Sequence, residues 1–177
     1  QWAEGTGVEQ YNGQEYLFYV GCTGSYDTRA QKAARALATM MMKAGVSFGV
    51  LGNEENCDGN EVHKLGEAGL FETLAERNIS QFKNIGVRKI IVFSPHAYNA
   101  MKNYYDQHSG DFDVFHYTQI LRDLADAGKM NTLRSFDTFD TKVTFHDPCF
   151  LGRWNEEYEA SRALLSTIEG IEFIEMD

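Results

Sequence analysis

Short, unbroken apolar runs alternate along this chain with longer stretches in which apolar residues recur at every third or fourth position. The runs Tyr16 to Val20, Val46 to Leu51, Lys89 to Phe93, Phe112 to Phe115, Lys142 to Phe145 and Ile171 to Ile174 predict strands, and the third is the clearest. Runs without polar alternation are the mark of strands covered on both faces. Between them, Thr28 to Ala44 carries Ala33, Ala36, Leu37, Met40, Met41 and Ala44 at helical spacing and stops at Gly45. A long helix is predicted from Glu61 to Ile85, with Leu65, Leu70, Leu74, Ile79 and Phe82 on one side. Helices are also expected over His96 to Tyr105, Tyr117 to Ala127 and Tyr158 to Thr167. Residues 1–15 look polar and loosely structured, and 128–140 reads as a linker.

Strand and helix in alternation imply right-handed crossovers and an α/β fold, a Rossmann-like parallel sheet with helices on both faces. In such sheets, sites form outside the carboxyl ends of the strands. Gly21-Cys22 follows the first strand, Cys57 the second, Ser94 to Ala97 the third, His116 the fourth and Asp147 to Cys149 the fifth. These loops are therefore expected to converge on one rim. The division expected is a half spanning 16–127, then 141–177 as the start of a second half.

Composition narrows the function. The chain has 177 residues with a formal charge of −10, which argues against a nucleic-acid surface because phosphate binding needs clustered Lys and Arg. No apolar run approaches a membrane span and no secretory segment is visible. Three widely separated cysteines are not a secreted disulfide framework and fit a reducing, cytoplasmic compartment.

The chemistry sits in four loops: Gly21-Cys22-Thr23-Gly24-Ser25-Tyr26-Asp27, Glu54-Glu55-Asn56-Cys57-Asp58-Gly59, Phe93-Ser94-Pro95-His96-Ala97-Tyr98-Asn99 and His146-Asp147-Pro148-Cys149-Phe150-Leu151-Gly152-Arg153. Together with the strands that precede them, these segments resemble the cysteine-rich (CCG) domain of heterodisulfide reductase and related iron-sulfur oxidoreductases. The resemblance runs from about Tyr16 to Met176 and is nearest to oxidoreductases that link electron-transfer flavoprotein to quinone. In that family a cysteine, a Cys-Cys-Gly and a Cys-x-x-Cys bind a cluster or zinc. Cys22 matches the first of these and Cys57 the second, while Asp58, Ser94 and Ala97 stand where the other three cysteines would be.

Two thiolates are too few for a cluster, which is usually held by four. Asp58 and His96 leave a mixed zinc site formally open, as the less favoured reading. Otherwise Cys22 and Cys57 pack as small hydrophobes. In the relatives, the motif around Cys149 opens a second copy whose remaining cysteines lie downstream. The chain runs from Gln1 to Asp177, so a fragment is expected, with further cysteines after Asp177 and an upstream ferredoxin-like or membrane portion. The resemblance then makes Cys149 a ligand of a 4Fe-4S cluster in the intact protein, with this chain alone metal-free. It implies electron transfer between a flavoprotein or similar redox partner and a quinone or disulfide acceptor, at the cytoplasmic face of a membrane reached through other segments. The alternative is a metal-free scaffold or partner-docking domain.

Single residues carry two readings each. His96 either tunes or ligates a metal, or packs the next helix. His146 and Asp147 either orient one another behind Cys149, or Asp147 makes a turn before Pro148. His116 and Tyr117 are polar rim residues or helix caps. Met40, Met41 and Met42 cannot share one helical face and form no copper box. Gly21 and Gly24 have the wrong spacing for a dinucleotide fingerprint, and Ser94 with His96 lacks a nucleophile elbow.

Overall fold

The structure, a computed structural model, describes residues 2–130 and 140–176. In chain order the elements are β1 (Tyr16–Tyr19), α1 (Gly21–Tyr26), α2 (Thr28–Lys43), β2 (Phe48–Gly49), α3 (Asn60–Lys64), α4 (Ala68–Asn84), β3 (Lys89–Val92), α5 (Pro95–Asn103), β4 (Asp113–His116), α6 (Tyr117–Asp126), β5 (Thr141–Val143), α7 (Gly152–Asn155), α8 (Glu159–Ser166) and β6 (Ile171–Phe173). The first four strands form one parallel sheet in the order β2-β1-β3-β4.

The period-two alternation of a strand explains how unbroken apolar runs fill two cores. Leu17, Tyr19, Ile90 and Val92 point to one face, against Phe71, Ala75, Ile79 and Phe82 of α4 and Ala97, Tyr98, Ala100 and Met101 of α5. Phe18, Val20 and Ile91 point to the other, against Ala34, Leu37, Ala38 and Met41 of α2 and Ile120, Leu121 and Leu124 of α6. The sheet is thus covered on both sides, as the α/β reading expects. Asp27 starts α2 by accepting from the N–H groups of Arg29 at 3.0 Å and Ala30 at 2.8 Å, a cap worth about 1 kcal/mol.

Several expectations are corrected. The long helix is two, α3 and α4, because Gly66 takes φ 87° between them, a conformation open to glycine and strained for other residues. Leu65, placed on the apolar side, is consequently 81% exposed. On α2 the buried alanines are Ala34 and Ala38, and Ala33 and Ala36 face solvent. The second strand is shorter than Val46 to Leu51, since Val50 makes only an isolated bridge to Gln10. That bridge and the buried Trp2, edge-on to Phe18 at 5.8 Å, show the N-terminal segment packing on the sheet rather than hanging loose. The expected linker falls for its greater part outside the described residues.

The largest difference lies in the last two strands. β5 and β6 pair in parallel with each other in a separate two-stranded sheet. This part is fastened to the first by α8 on α6, where Gln119 Nε2 donates to Glu157 Oε2 at 2.6 Å. Leu151 is buried in the core beneath α5.

Candidate functional site

The chain leaves β1 towards β2 on one side and β3 towards β4 on the other, so the crevice between β1 and β3 is the switch point of the sheet. Ligand sites of open parallel sheets form there. The loop after β3 and the loop carrying Cys149 meet over it. Phe93, Ser94, Pro95 and His96 from one, and His146, Pro148, Cys149 and Phe150 from the other, line an open pocket of about 570 Å³, joined by Thr23. The convergence expected of the rim therefore holds for Cys149, although its strand belongs to the second sheet. Cys149 is a free, exposed thiol.

Cys22 and Cys57 line a neighbouring pocket of about 230 Å³ together with Trp2, Gly21, Glu55 and Asn56. Burial first, and then the charge of Cys57, pushes the Cys22 thiol up to about 11. The Cys57 sulfur accepts from the Gly59 N–H at 3.4 Å. Its carbonyl accepts from Asn78 Nδ2 at 2.8 Å, and the Tyr105 hydroxyl donates to the Asp58 carbonyl at 3.1 Å. The Cys57 loop is thus held by its backbone. Gly59 turns it with φ 83°, where a Cβ would also come within 2.8 Å of the Phe71 ring.

The three positions expected to have lost thiolates do structural work. Asp58 is buried and accepts from the Asn60 N–H at 2.9 Å, in the turn that leads through Gly59 into α3; burial raises its pKa. Ser94 accepts from the His96 N–H at 3.1 Å and caps α5, with Pro95 in the first turn. Ala97 is fully buried against the sheet. Four-thiolate cluster ligation does not fit this set, which offers two sulfurs. Among the described residues, no group of three or more His, Cys, Asp and Glu side chains is arranged to hold a metal ion.

The histidines resolve in the same way. His96 Nδ1 pairs with Glu61 Oε1 at 2.9 Å on the surface, and its ring meets Phe150 edge-on at 4.9 Å. His116 is buried, its Nδ1 is 2.7 Å from Thr118 Oγ1 and its N–H donates to Gln119 Oε1 at 2.9 Å, so it serves the start of α6. Burial drives its pKa down to about 3, which leaves it neutral. Asp147 is held by Arg162 through paired bonds of 2.8 Å, while the exposed His146 faces the pocket.

Arg162 and Glu55 are the residues that motif reading missed. Arg162 also pairs with Glu175, tying the Cys149 loop to the strand end beyond β6. Glu55 accepts from the N–H groups of Val20 at 3.0 Å and Gly21 at 2.6 Å. Glu55 lines the pocket, and burial raises its pKa to about 7 against the pull of those two donors.

With this geometry in place, residues 16–102 match the CCG family, the cysteine-rich domain. Over that stretch the chain belongs to the CCG cysteine-rich domain family. The relatives extend further. The chain is 45% identical over 163 residues to the probable iron-sulfur-binding oxidoreductase FadF of Bacillus subtilis, covering 92% of this chain and 23% of that protein. It is 46% identical over 156 residues to the EtfAB:quinone oxidoreductase of Syntrophomonas wolfei, covering 88% of this chain and 21% of the relative. Against one of the subunits of the dihydromethanophenazine:CoB–CoM heterodisulfide reductase of Methanosarcina mazei, identity is 32% over 169 residues, 92% of this chain and 40% of the relative. The chain therefore spans well under half the length of each of these relatives. No solved structure matches it.

Proposed function

We propose that this CCG domain belongs to an iron-sulfur oxidoreductase that carries electrons from a flavoprotein donor to a quinone or disulfide acceptor. Support comes from the activities for which the relatives are named, which include those of an EtfAB:quinone oxidoreductase and a heterodisulfide reductase. Within that protein, the four-stranded half is a metal-free scaffold. Asp58 holds a turn, Ser94 caps a helix and Ala97 fills the core, which favours this over a zinc site at Cys22 and Cys57. Cys149 supplies a thiolate to a cluster, together with sulfurs from outside this chain, and His146 and His96 flank it. When bound, such a cluster supplies one-electron redox chemistry. The chain's own contribution is to hold Cys149 at an apolar-walled pocket through Asp147 and Arg162, with no general acid or base required.

The observation that carries this reading is the free, exposed Cys149 over the switch point, opposite the His96 loop. A quinone acceptor is dissolved in lipid, so the protein would work at the cytoplasmic face of a membrane. Among the described residues no helix is long and apolar enough to cross one, and that contact falls to other segments. The test is iron and acid-labile sulfide content, with a visible spectrum, on anaerobically purified protein. This chain and a longer chain carrying the further segments of its relatives are compared. Iron in the longer chain, lost in its Cys149→Ser variant, supports the reading; a longer chain without iron overturns it.

A further inference from the structure

The Cys22–Cys57 pocket holds what remains when three of five thiolates are replaced, and what remains is a complete dithiol. Both sulfurs open to the same cavity and neither is in a disulfide. Cys57 is near enough to Cys22 to be among the groups that push its thiol up. The Cys57 sulfur accepts the Gly59 N–H, which holds it in place at the cavity. Two free thiols lining one open cavity are the arrangement needed for thiol–disulfide exchange.

We propose that Cys22 and Cys57 form a redox-active pair that is oxidised to an intramolecular disulfide by a low-molecular-weight disulfide. In the first step the Cys57 thiolate attacks one sulfur of R–S–S–R, forming a Cys57–S–S–R bond and releasing one thiolate, RS⁻. Cys22 then loses its proton to solvent and attacks the Cys57 sulfur, forming the Cys22–Cys57 bond and releasing the second thiolate. The pair has lost two electrons and two protons, and the small disulfide has become two thiols. The backbone is held on both sides of the pocket. Asn78 binds the Cys57 carbonyl, Tyr105 the Asp58 carbonyl, and Glu55 accepts from the N–H groups of Val20 and Gly21 just before Cys22. This inference goes beyond the cluster reading and does not depend on it, since that reading rests on Cys149.

The test uses the purified, reduced chain equilibrated with mixtures of oxidised and reduced glutathione, quenched in acid, alkylated and mapped by peptide mass spectrometry. A Cys22–Cys57 linked peptide is expected, with Cys149 left alkylated or carrying glutathione. Closure should be roughly 100-fold more favourable in the folded chain than in the same chain in urea, because folding raises the effective concentration of one thiol at the other. Cys149→Ser should leave closure unchanged, and Cys22→Ser should accumulate glutathione on Cys57. Equal closure in folded and urea-unfolded chain overturns the proposal without need of any variant, as does linkage of Cys149 to either partner at the same frequency. A cluster found later at Cys149 would leave this result standing, and absence of that cluster would not remove it.

Discussion

Asn155 donates through Nδ2 to Oδ1 of Asn99 at 3.3 Å, joining the segment that carries Cys149 to the first half of the chain. Asn99 in turn donates to Asn60 Oδ1 at 2.8 Å, and Asn103 donates to Asn99 at 3.1 Å and Asn155 at 2.9 Å. These residues lie on α3, α5 and α7, which follow the Cys57, Ser94 and Cys149 loops. One set of side-chain amides therefore sets the mutual position of three loops on the rim.

Asn99 is fully buried, so its removal leaves the Oδ1 of Asn60, also buried, without its donor in a place water does not reach. Asn99→Ala is expected to lower stability by about 2–3 kcal/mol. Urea unfolding measures this as a lower midpoint at unchanged slope. A loss under about 0.5 kcal/mol would show that the network does not bear on the fold.

The strands β1 and β3 were readable because their apolar runs are covered on both faces, a pattern that polar interruptions would have erased. Registers within helices were less so: Ala33 and Ala34 are indistinguishable by chemistry, and only Leu37 and Met41, which are buried with Ala34, decide the face. Trp2 was missed because its partner Phe18 lies across the sheet. At the site, the cysteine loops were legible as motifs placed after strands. Glu55 and Arg162 were not, since what matters is a bond from Glu55 to Val20 and one from Arg162 to Asp147, and nothing local in the sequence signals either. That β5 and β6 pair with each other was not legible, because strand patterning does not name the neighbour.

The Arg162 fork beside Asp147 holds that carboxyl below the usual carboxylate range. A carboxylate with a depressed folded pKa adds stability above its unfolded pKa and loses it as pH falls through the folded value. Arg162→Ala is expected to cost about 1 kcal/mol at pH 7, the pair being partly exposed. The gap between wild type and variant should close below about pH 4, near the free aspartate value. The same variant should speed alkylation of Cys149 by freeing its loop. A gap independent of pH would mean that Arg162 acts by packing alone.

Glu55 behaves in the opposite sense. Its folded pKa of about 7 stands above the unfolded value, so between about 4.3 and 7 the folded chain holds a proton that the unfolded chain has released. Stability contributed by this group therefore falls as pH rises across that window and levels off above it. In Glu55→Gln that part of the pH dependence is expected to vanish. Urea midpoints for both proteins at intervals from pH 4 to 8 measure it, and parallel curves would show that Glu55 does not titrate there.

Restoring the three thiolates asks whether the loops kept the geometry of a cluster site or only its trace in sequence. Asp58→Cys removes the turn bond that leads into α3 and Ser94→Cys the cap of α5, at about 1 kcal/mol apiece, so the triple variant with Ala97→Cys should fold with a stability about 2 kcal/mol lower. Anaerobic reconstitution with iron and sulfide is then expected to load it, while the natural chain treated alike stays empty. If the folded triple variant also stays empty, the replacement of the thiolates was not what closed the site: Asn78, Tyr105 and the Asn60–Asn99 bond would have fixed Cys57 and α5 in positions that no longer converge. Loading would instead mean that these bonds preserve the spacing of the rim, and that Asp58, Ser94 and Ala97 alone separate a scaffold from a cluster-binding domain.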